Sequence, residues 1–126
     1  MLAILPLKAL PIAKQRMAPV LSTDQRKALA LAMAQDVSSA LLSSSAIDQV
    51  LVCAGDDTGV ALAEHFEFEV LEDDRHSVRG LNATIQRAIN ESDAAEIMVV
   101  HADLPCVDVD NINQIAELLD SNDVVI

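Results

Sequence analysis

Three short segments of the sequence carry residues whose chemistry suits a phosphorylated ligand. The first, residues 8–20, holds Lys8, Lys14 and Arg16 on a stretch that also contains two prolines. Each hydrogen bond from such a cation to a phosphate oxygen contributes roughly 1.5–3 kcal/mol. The stretch lacks the Gly-x-x-x-x-Gly-Lys pattern of a Walker A loop, so a phosphate site here is of another kind.

The second segment, residues 75–82, reads R-H-S-V-R-G-L-N and leads into a predicted helix. Gly80 lets backbone amides approach a ligand, and the helix N-terminus adds partial positive charge beside Arg79. Asn82 has two interpretations: contact with a base or ribose, or capping of the helix, which the residue type alone slightly favours.

The third segment is H-A-D-L-P, from His101 to Pro105. Asp103 offers a hard carboxylate of the kind that holds Mg²⁺ against nucleotide phosphates. The alternative for Asp103 is a cap of the next helix, although Asp108 and Asp110 can serve there instead. His101 is either a packing residue at the end of a strand or a general base.

The charge distribution supports a compact anionic ligand. The chain of 126 residues has a net charge of −12, which argues against broad contact with nucleic acid or an anionic membrane. Yet residues 1–23 and 75–90 together contain six of the eight basic residues and none of the twenty acidic ones. A triphosphate would suit two such basic segments, and chance clustering of solvated side chains is the other explanation.

The elements that must position these segments alternate between strand and helix, as hydrophobic periodicity and turn residues indicate. The predicted strands are Leu2–Leu7, Ile47–Ala54, Glu67–Leu71, Glu96–His101 and Asp123–Ile126. The predicted helices run from Ser22 to about Leu42, Thr58–His65, Leu81–Asn90 and Asp108–Leu119. Ser22 and Gln25 have the spacing of a capping box, and Asp57 is a candidate cap of the second helix.

This order predicts a single α/β domain over residues 1–126, with a doubly wound, mostly parallel sheet. Ligands of such sheets bind beyond the carboxyl ends of the strands. That rule selects the loops at residues 8–20, 72–80 and 101–106, which hold the cations and Asp103. The apolar fourth strand is expected to be central.

The start of the chain lacks the basic leader of a signal peptide, and no apolar run reaches the ~18 residues of a membrane span. These features, with two cysteines in no metal-binding spacing, predict a cytoplasmic protein that has no membrane contact.

Four stretches together resemble the 2-phospho-L-lactate guanylyltransferase family of coenzyme F-420 biosynthesis. They are P-L-K-A-L-P-I-A-K-Q-R-M-A-P-V-L from Pro6, S-T-D-Q-R-K-A-L-A-L-A-M-A-Q-D-V from Ser22, G-L-N-A from Gly80 and A-D-L-P from Ala102. The resemblance implies a Rossmann-like (GT-A-like) nucleotidyltransferase fold. It also implies Mg²⁺, GTP as donor, and 2-phospho-L-lactate, phosphoenolpyruvate or 3-phosphoglycerate as acceptor.

The roles that follow from this resemblance concern phosphate, metal and nucleoside. Asp103 would hold Mg²⁺, Lys14 and Arg16 would neutralise the β- and γ-phosphates, and Lys8 would hold the α-phosphate or the acceptor. Gly80 and Asn82 would line the nucleoside pocket, and Leu5 and Arg79 would also bind the nucleotide.

Relatives in this family continue past the position of Ile126 into a segment that completes the acceptor pocket, so the fold is expected to be C-terminally incomplete. The alternatives are a cytidylyl- or sugar-phosphate nucleotidyltransferase and a non-catalytic nucleotide-binding module. A homodimer is a further expectation.

Overall fold

The structure, a computed structural model, describes residues 1–9, 14–72 and 80–125. Its strands are β1 (Leu2–Leu7), β2 (Gln49–Ala54), β3 (Glu69–Glu72) and β4 (Ile97–Val99). Its α-helices are α1 (Thr23–Ser43), α2 (Asp57–His65), α3 (Gly80–Glu91) and α4 (Val109–Leu118). Single 3-10 turns lie at Gln15–Met17 and Leu119–Ser121.

The four strands form one parallel sheet in the order β3-β2-β1-β4. The register pairs Leu7 with Ala54, so β1 and β2 end side by side. On the other side of β1, Ile4 pairs with Val99, and the Val100 amide donates to the Ile4 carbonyl at 3.0 Å. The strands follow one another through helices, which confirms the predicted α/β class.

Both faces of the sheet are covered, which explains why β1 is buried along its whole length. The larger core lies on the face where α1, α2 and α4 pack, and it includes Leu5, Val37 and Ile112. The smaller core lies on the opposite face, where Ala88 of α3 packs near Ile4. A strand buried on both faces requires an almost continuous apolar sequence, as β1 has.

The predicted capping box at the start of α1 is confirmed. The Gln25 amide donates to Ser22 Oγ at 3.2 Å, and the Ser22 amide donates to Gln25 Oε1 at 2.9 Å. These two bonds satisfy backbone donors that have no partner inside the helix. They fix the point where the first loop ends.

The predicted cap of α2 is wrong by one residue. Asp56, rather than Asp57, lies at the N-cap and accepts hydrogen bonds from the amides of Thr58 and Gly59. Asp56 takes this role because it keeps the extended backbone of a cap, whereas Asp57 already belongs to the first turn.

The third strand begins at Glu69, two residues later than predicted. Glu67 has a left-handed backbone, with φ of 57°. Its amide donates to the Glu64 carbonyl at 3.2 Å, and the Phe68 amide donates to the Ala63 carbonyl at 2.9 Å. This pair of bonds is a Schellman motif, so Glu67 ends α2 instead of starting β3.

The predictions for the fourth and fifth strands are also corrected. In the described part of the sheet β4 is an edge strand, because residues 122–125 form no strand beside it. A groove of about 630 Å³ runs along the free side of β4, lined mainly by apolar side chains of β4, α4 and residues 123–125.

No helix within the described ranges has the length and apolarity needed to cross a membrane. The two cysteines are free thiols, with Cys53 buried in β2 and Cys106 exposed.

Candidate functional site

The carboxyl ends of the parallel strands bring two distant parts of the chain together. Loop 1, which we define as residues 8–22, follows β1, and residues 100–108 follow β4. Because β1 pairs with β4 in the same direction, both connections leave the sheet at the same edge. This is the edge at which parallel α/β sheets bind their ligands.

The contact that joins these connections is an ion pair between Lys14 and Asp103. Lys14 Nζ lies 2.9 Å from Asp103 Oδ2, although the residues are 89 positions apart in sequence. The Lys14 side chain is 23% exposed and that of Asp103 57% exposed. The sequence-based prediction that these two charges meet at one site is therefore consistent with the geometry.

Lys14 reaches Asp103 from an uncommon backbone conformation. Its φ of 52° and ψ of 39° lie in the left-handed region, which costs a residue with a Cβ about 1–2 kcal/mol. The residue opens the 3-10 turn at Gln15–Met17, and its carbonyl accepts from the Met17 amide at 2.9 Å. Backbone strain of this sort persists where the surrounding structure imposes it, often at functional sites.

The ion pair holds Asp103 in its charged form. The hydrogen bond from Lys14 is the largest influence on the pKa of Asp103 and lowers it below the ordinary value of 3.8. Partial burial opposes this effect, and the charges of Lys14 and His101 reinforce it. Near neutral pH, Asp103 is thus a carboxylate, which is the form that accepts hydrogen bonds or binds a hard cation.

Asp103 does not cap a helix. The cap of α4 is Asp108, whose side chain accepts from the Asn111 amide at 2.8 Å while Asn111 Oδ1 accepts from the Asp108 amide at 3.2 Å. The turn that presents Asp103 is anchored by Ala102, which is buried in the larger core. The capping alternative for Asp103 is therefore excluded by the position of α4.

Gly55, which the sequence reasoning missed, shapes the start of loop 1. Its amide donates to the Leu7 carbonyl at 2.9 Å. A Cβ on Gly55 would lie 2.6 Å from the Ala9 amide nitrogen, a distance at which one of the two must shift. The absence of a side chain thus lets loop 1 pass across the end of β2. A glycine directly after a buried parallel strand was the available signal.

Arg26 fixes the other end of loop 1 and was also missed. Its guanidinium is buried and donates to the Leu21 carbonyl at 2.8 Å and to Thr23 Oγ1 at 3.3 Å, while Nε has no hydrogen-bond partner. The signal available in sequence was an arginine one position after the capping box.

The other predicted site residues of β1 and loop 1 differ in their exposure to solvent. Lys8 and Arg16 are exposed on loop 1, where a ligand can reach them. Leu5 is completely buried in the middle of β1, so the structure gives it no surface for a nucleotide, and its burial favours a role in the core.

The second basic segment is described only in part. Gly80 is the first residue of α3, and Asn82 is exposed in the first turn, so Asn82 is inside the helix and does not cap it. Arg79 lies outside the described residues. Arg87 donates to the Glu72 carbonyl at 2.8 Å and pairs with Glu91 at 3.7 Å, which favours a structural role for this cation.

Asp103 is suited to a metal ion that takes some of its ligands from the protein and the others from a bound nucleotide. Within the described ranges, no three His, Cys, Asp or Glu side chains are grouped as a protein-only metal site. Mg²⁺ at nucleotide sites commonly takes one or two carboxylates, and the phosphates complete its ligands. A single ionised Asp103 beside a loop that carries cations matches this donor set.

The family model and the curated relatives that match this chain both indicate guanylyltransferases. A family model described as "Guanylyl transferase CofC like" matches residues 1–126. A 2-phospho-L-lactate guanylyltransferase from Methanocaldococcus fervens is 29% identical over 126 residues, which are 100% of this chain and 55% of that protein. A phosphoenolpyruvate guanylyltransferase from Roseiflexus castenholzii is 35% identical over 115 residues, covering 90% of this chain and 53% of that protein.

Solved structures show the same fold at low identity. A CMP:2-keto-3-deoxy-manno-octonic acid synthetase complexed with CTP superimposes with a TM-score of 0.69 at 12% identity, over 98% of this chain and 48% of that one. A nucleotidyl transferase from Methanothermobacter gives a TM-score of 0.64 at 19% identity, over 92% and 56%. The chain spans about half the length of the curated relatives it matches.

Proposed function

The chain belongs to the CofC-like guanylyl transferase family, and we propose that it binds GTP for transfer of GMP to a small phosphorylated acid. The observation that carries the proposal is the ion pair between Lys14 and Asp103. It brings together, at the carboxyl edge of a parallel sheet, a cation suited to phosphate and a carboxylate suited to a divalent metal. Nucleotidyl transfer requires both kinds of group at one site.

The proposed reaction is an in-line attack on the α-phosphorus of GTP. A phosphate oxygen of the acceptor forms the new bond, and the bond to the pyrophosphate leaving group breaks. The attacking oxygen is already anionic, so the reaction needs no strong general base. The task of the protein is to position the two anions and to stabilise the charge that develops as they approach.

The cations of loop 1 are suited to this task. Lys14 and Arg16 would neutralise the β- and γ-phosphates, and Lys8 would hold the α-phosphate or the acceptor. Lys8 and Arg16 are both exposed. Gly80, Asn82 and Arg79 would line the nucleoside pocket at the start of α3.

Asp103 would hold Mg²⁺, which would supply positive charge to offset that of the nucleotide phosphates. The carboxylate supplies the hard oxygen that this cation prefers. Without a cation near it, the same carboxylate would repel a triphosphate. A triphosphate and a divalent cation that bind together would give both Lys14 and Asp103 a partner of opposite charge.

The acceptor is proposed from the relatives, whose names include 2-phospho-L-lactate and phosphoenolpyruvate guanylyltransferases. A phosphorylated three-carbon acid such as these, or 3-phosphoglycerate, fits the proposed chemistry, and coenzyme F-420 biosynthesis is the corresponding pathway. A cytoplasmic location and a homodimer stay predictions.

Two alternatives to this proposal can be tested. A structural neighbour was solved in complex with CTP, which favours a cytidylyltransferase, and competition among the four nucleoside triphosphates separates this from GTP specificity. The chain spans about half the length of the curated relatives it matches, and a nucleotide-binding module without turnover is the second alternative. Release of pyrophosphate in the presence of GTP and an acceptor would exclude such a module.

The proposal is tested by GTP affinity with and without Mg²⁺, measured by calorimetry. We expect Asp103→Asn to abolish the tightening that Mg²⁺ causes in the unchanged protein, because the amide keeps the shape and loses the charge. The melting temperature should change little, since exposed ion pairs contribute about 0–1 kcal/mol.

Asp108→Asn is the matched control. It removes a carboxylate five residues away, and asparagine is an equally good helix cap, so metal dependence should be retained. If Mg²⁺ tightens GTP binding equally in the Asp103→Asn variant, Asp103 is not the metal ligand and the proposal fails.

A further inference from the structure

Lys14 and Asp103 form an ion pair with each other, although the proposed function gives each of them a different ligand. Lys14 would bind triphosphate and Asp103 would bind Mg²⁺, yet Lys14 Nζ lies 2.9 Å from Asp103 Oδ2. Each group thus already has a partner of opposite charge. A ligand for either one must compete with this ion pair.

The pair disfavours simple addition of a metal to Asp103. A magnesium ion binds a carboxylate oxygen at roughly 2.0–2.1 Å. If the metal took the oxygen that Lys14 contacts, the two cations would be no more than roughly 5 Å apart, because the two bond lengths add at most to that separation. Their repulsion disfavours the metal unless Lys14 moves or an anion is placed between them.

Lys14 is the loop 1 cation suited to this competition. It is largely buried, and its left-handed backbone directs the start of the 3-10 turn next to Asp103. Arg16 is two residues further along, is exposed, and forms no ion pair with any other described residue. Of these two cations on the same loop, only Lys14 is paired with Asp103. Arg16 therefore provides a control for the effect of removing a positive charge from this loop.

We infer that Lys14 acts as a substitute cation at Asp103 in the nucleotide-free protein, so that the metal enters together with the triphosphate and not before it. The inference rests on the proposed function. A triphosphate offers Lys14 a stronger, multiply charged partner, and the accompanying metal takes over Asp103. Exchange of both partners leaves no charge unpaired, whereas arrival of the metal alone leaves Lys14 without its anion.

This order of binding predicts that loss of the Lys14 charge changes the affinity for metal and the affinity for triphosphate in opposite directions. Removing the charge of Lys14 should strengthen binding of a divalent metal alone, because the competing cation is lost. The same change should weaken binding of a triphosphate without metal, because a phosphate ligand is lost. A residue that only stabilises the fold, or a phosphate-binding cation far from Asp103, would not produce the first effect.

The experiment titrates Mn²⁺ into the nucleotide-free protein and follows free Mn²⁺ by its electron paramagnetic resonance signal. We expect Lys14→Met to bind Mn²⁺ on the order of tenfold more tightly than the unchanged protein. Arg16→Met should bind Mn²⁺ as the unchanged protein does. The double variant Lys14→Met with Asp103→Asn should lose the gain, which separates Asp103 from the many other carboxylates.

Lys14→Gly is a second variant that protects the test against misfolding, because glycine adopts the left-handed backbone of this position without strain. It should strengthen Mn²⁺ binding like Lys14→Met. Unchanged Mn²⁺ affinity in both variants overturns the inference.

That failure differs from failure of the proposed function. If Asp103→Asn still abolishes the Mg²⁺-dependent tightening of GTP binding while the Lys14 variants leave Mn²⁺ affinity unchanged, the metal ligand stands and only the exchange is wrong. If Lys14→Met also leaves metal-free triphosphate affinity unchanged, Lys14 does not exchange between the two anions.

Discussion

At the scale of single residues, the sequence identified Lys14 and Asp103 as candidates, but it did not show that their side chains form an ion pair. Each was a candidate because of its charge and its position after a strand. The structure adds that the hydrogen bond from Lys14 lowers the pKa of Asp103. The contact therefore keeps Asp103 ionised to a lower pH than an ordinary aspartate, and it gives a metal at Asp103 a competitor.

The lowered pKa can be measured directly. A titration of the Asp103 side-chain carboxyl followed by ¹³C NMR should give a pKa below 3.8 in the unchanged protein. In Lys14→Met the pKa should rise, because the hydrogen bond and the positive charge are both removed. A carboxyl pKa that is equal in the two proteins would mean that the ion pair does not persist in solution.

The sign of the linked stability effect follows from the direction of the shift. A folded-state pKa below the unfolded value means that the ion pair stabilises the protein above the ordinary value of 3.8. This stabilisation is lost as the pH falls through the lowered folded-state pKa. The exposure of Asp103 keeps the effect small.

At the scale of elements, the ends of strands and helices decide which residues meet. Gly55 allows loop 1 to cross the end of β2, and Arg26 secures the point where that loop joins α1. Local sequence predicted the start of α1 because the capping box is a contact within four residues. It did not predict either anchor of loop 1, since these depend on chain segments from other elements.

The end of α2 offers a test of backbone conformation that is independent of function. Glu67 occupies the left-handed position of a Schellman motif, where glycine is usual. Glu67→Gly should raise the free energy of unfolding by roughly 0.5–1 kcal/mol, as relief of the left-handed strain exceeds the added chain entropy of glycine. Urea denaturation provides the measurement.

Glu67→Ala is the matched control, since alanine keeps the strain and should give no comparable gain. The residue precedes β3 and therefore lies at the edge of the sheet opposite the site, so GTP affinity should be unchanged. A glycine variant no more stable than the alanine variant would contradict the assignment of backbone strain to this position.

At the scale of the whole molecule, the two free edges of the described sheet differ. The outer strand β3 carries the exposed acids Glu69 and Glu72, which discourage pairing with another strand. The opposite edge, β4, is apolar from Ile97 to Val99 and opens into the groove beside α4. In a chain of net charge −12, this groove is a local exception to the charged surface.

The groove should be detectable with Nile red, an uncharged dye that fluoresces in apolar surroundings. We expect Ile115→Lys to reduce its fluorescence, because Ile115 is 42% exposed and lines the groove. Leu42→Lys is the control, a 62% exposed apolar residue on α1 that is not among the groove residues. Equal loss of signal in both variants would show that the dye does not select the groove.

Sequence patterns alone predicted the class of fold, which the structure confirms, and named most of the candidate site residues. Hydrophobic periodicity and cap residues fixed the order of strands and helices, because these signals arise from contacts within a few residues. The distribution of charge indicated an anionic ligand, and the rule for parallel sheets selected loop 1 and the turn at Asp103. Errors were confined mostly to ends of elements, such as Asp57 for Asp56.

The tertiary structure alone decided how those residues interact. The edge position of β4 depends on which strands pair with it, and the burial of Leu5 depends on helices packed on both faces of the sheet. The contact between Lys14 and Asp103 joins residues 89 positions apart. No local preference encodes such a contact, because it forms only when parallel pairing of β1 with β4 brings their carboxyl ends to one edge.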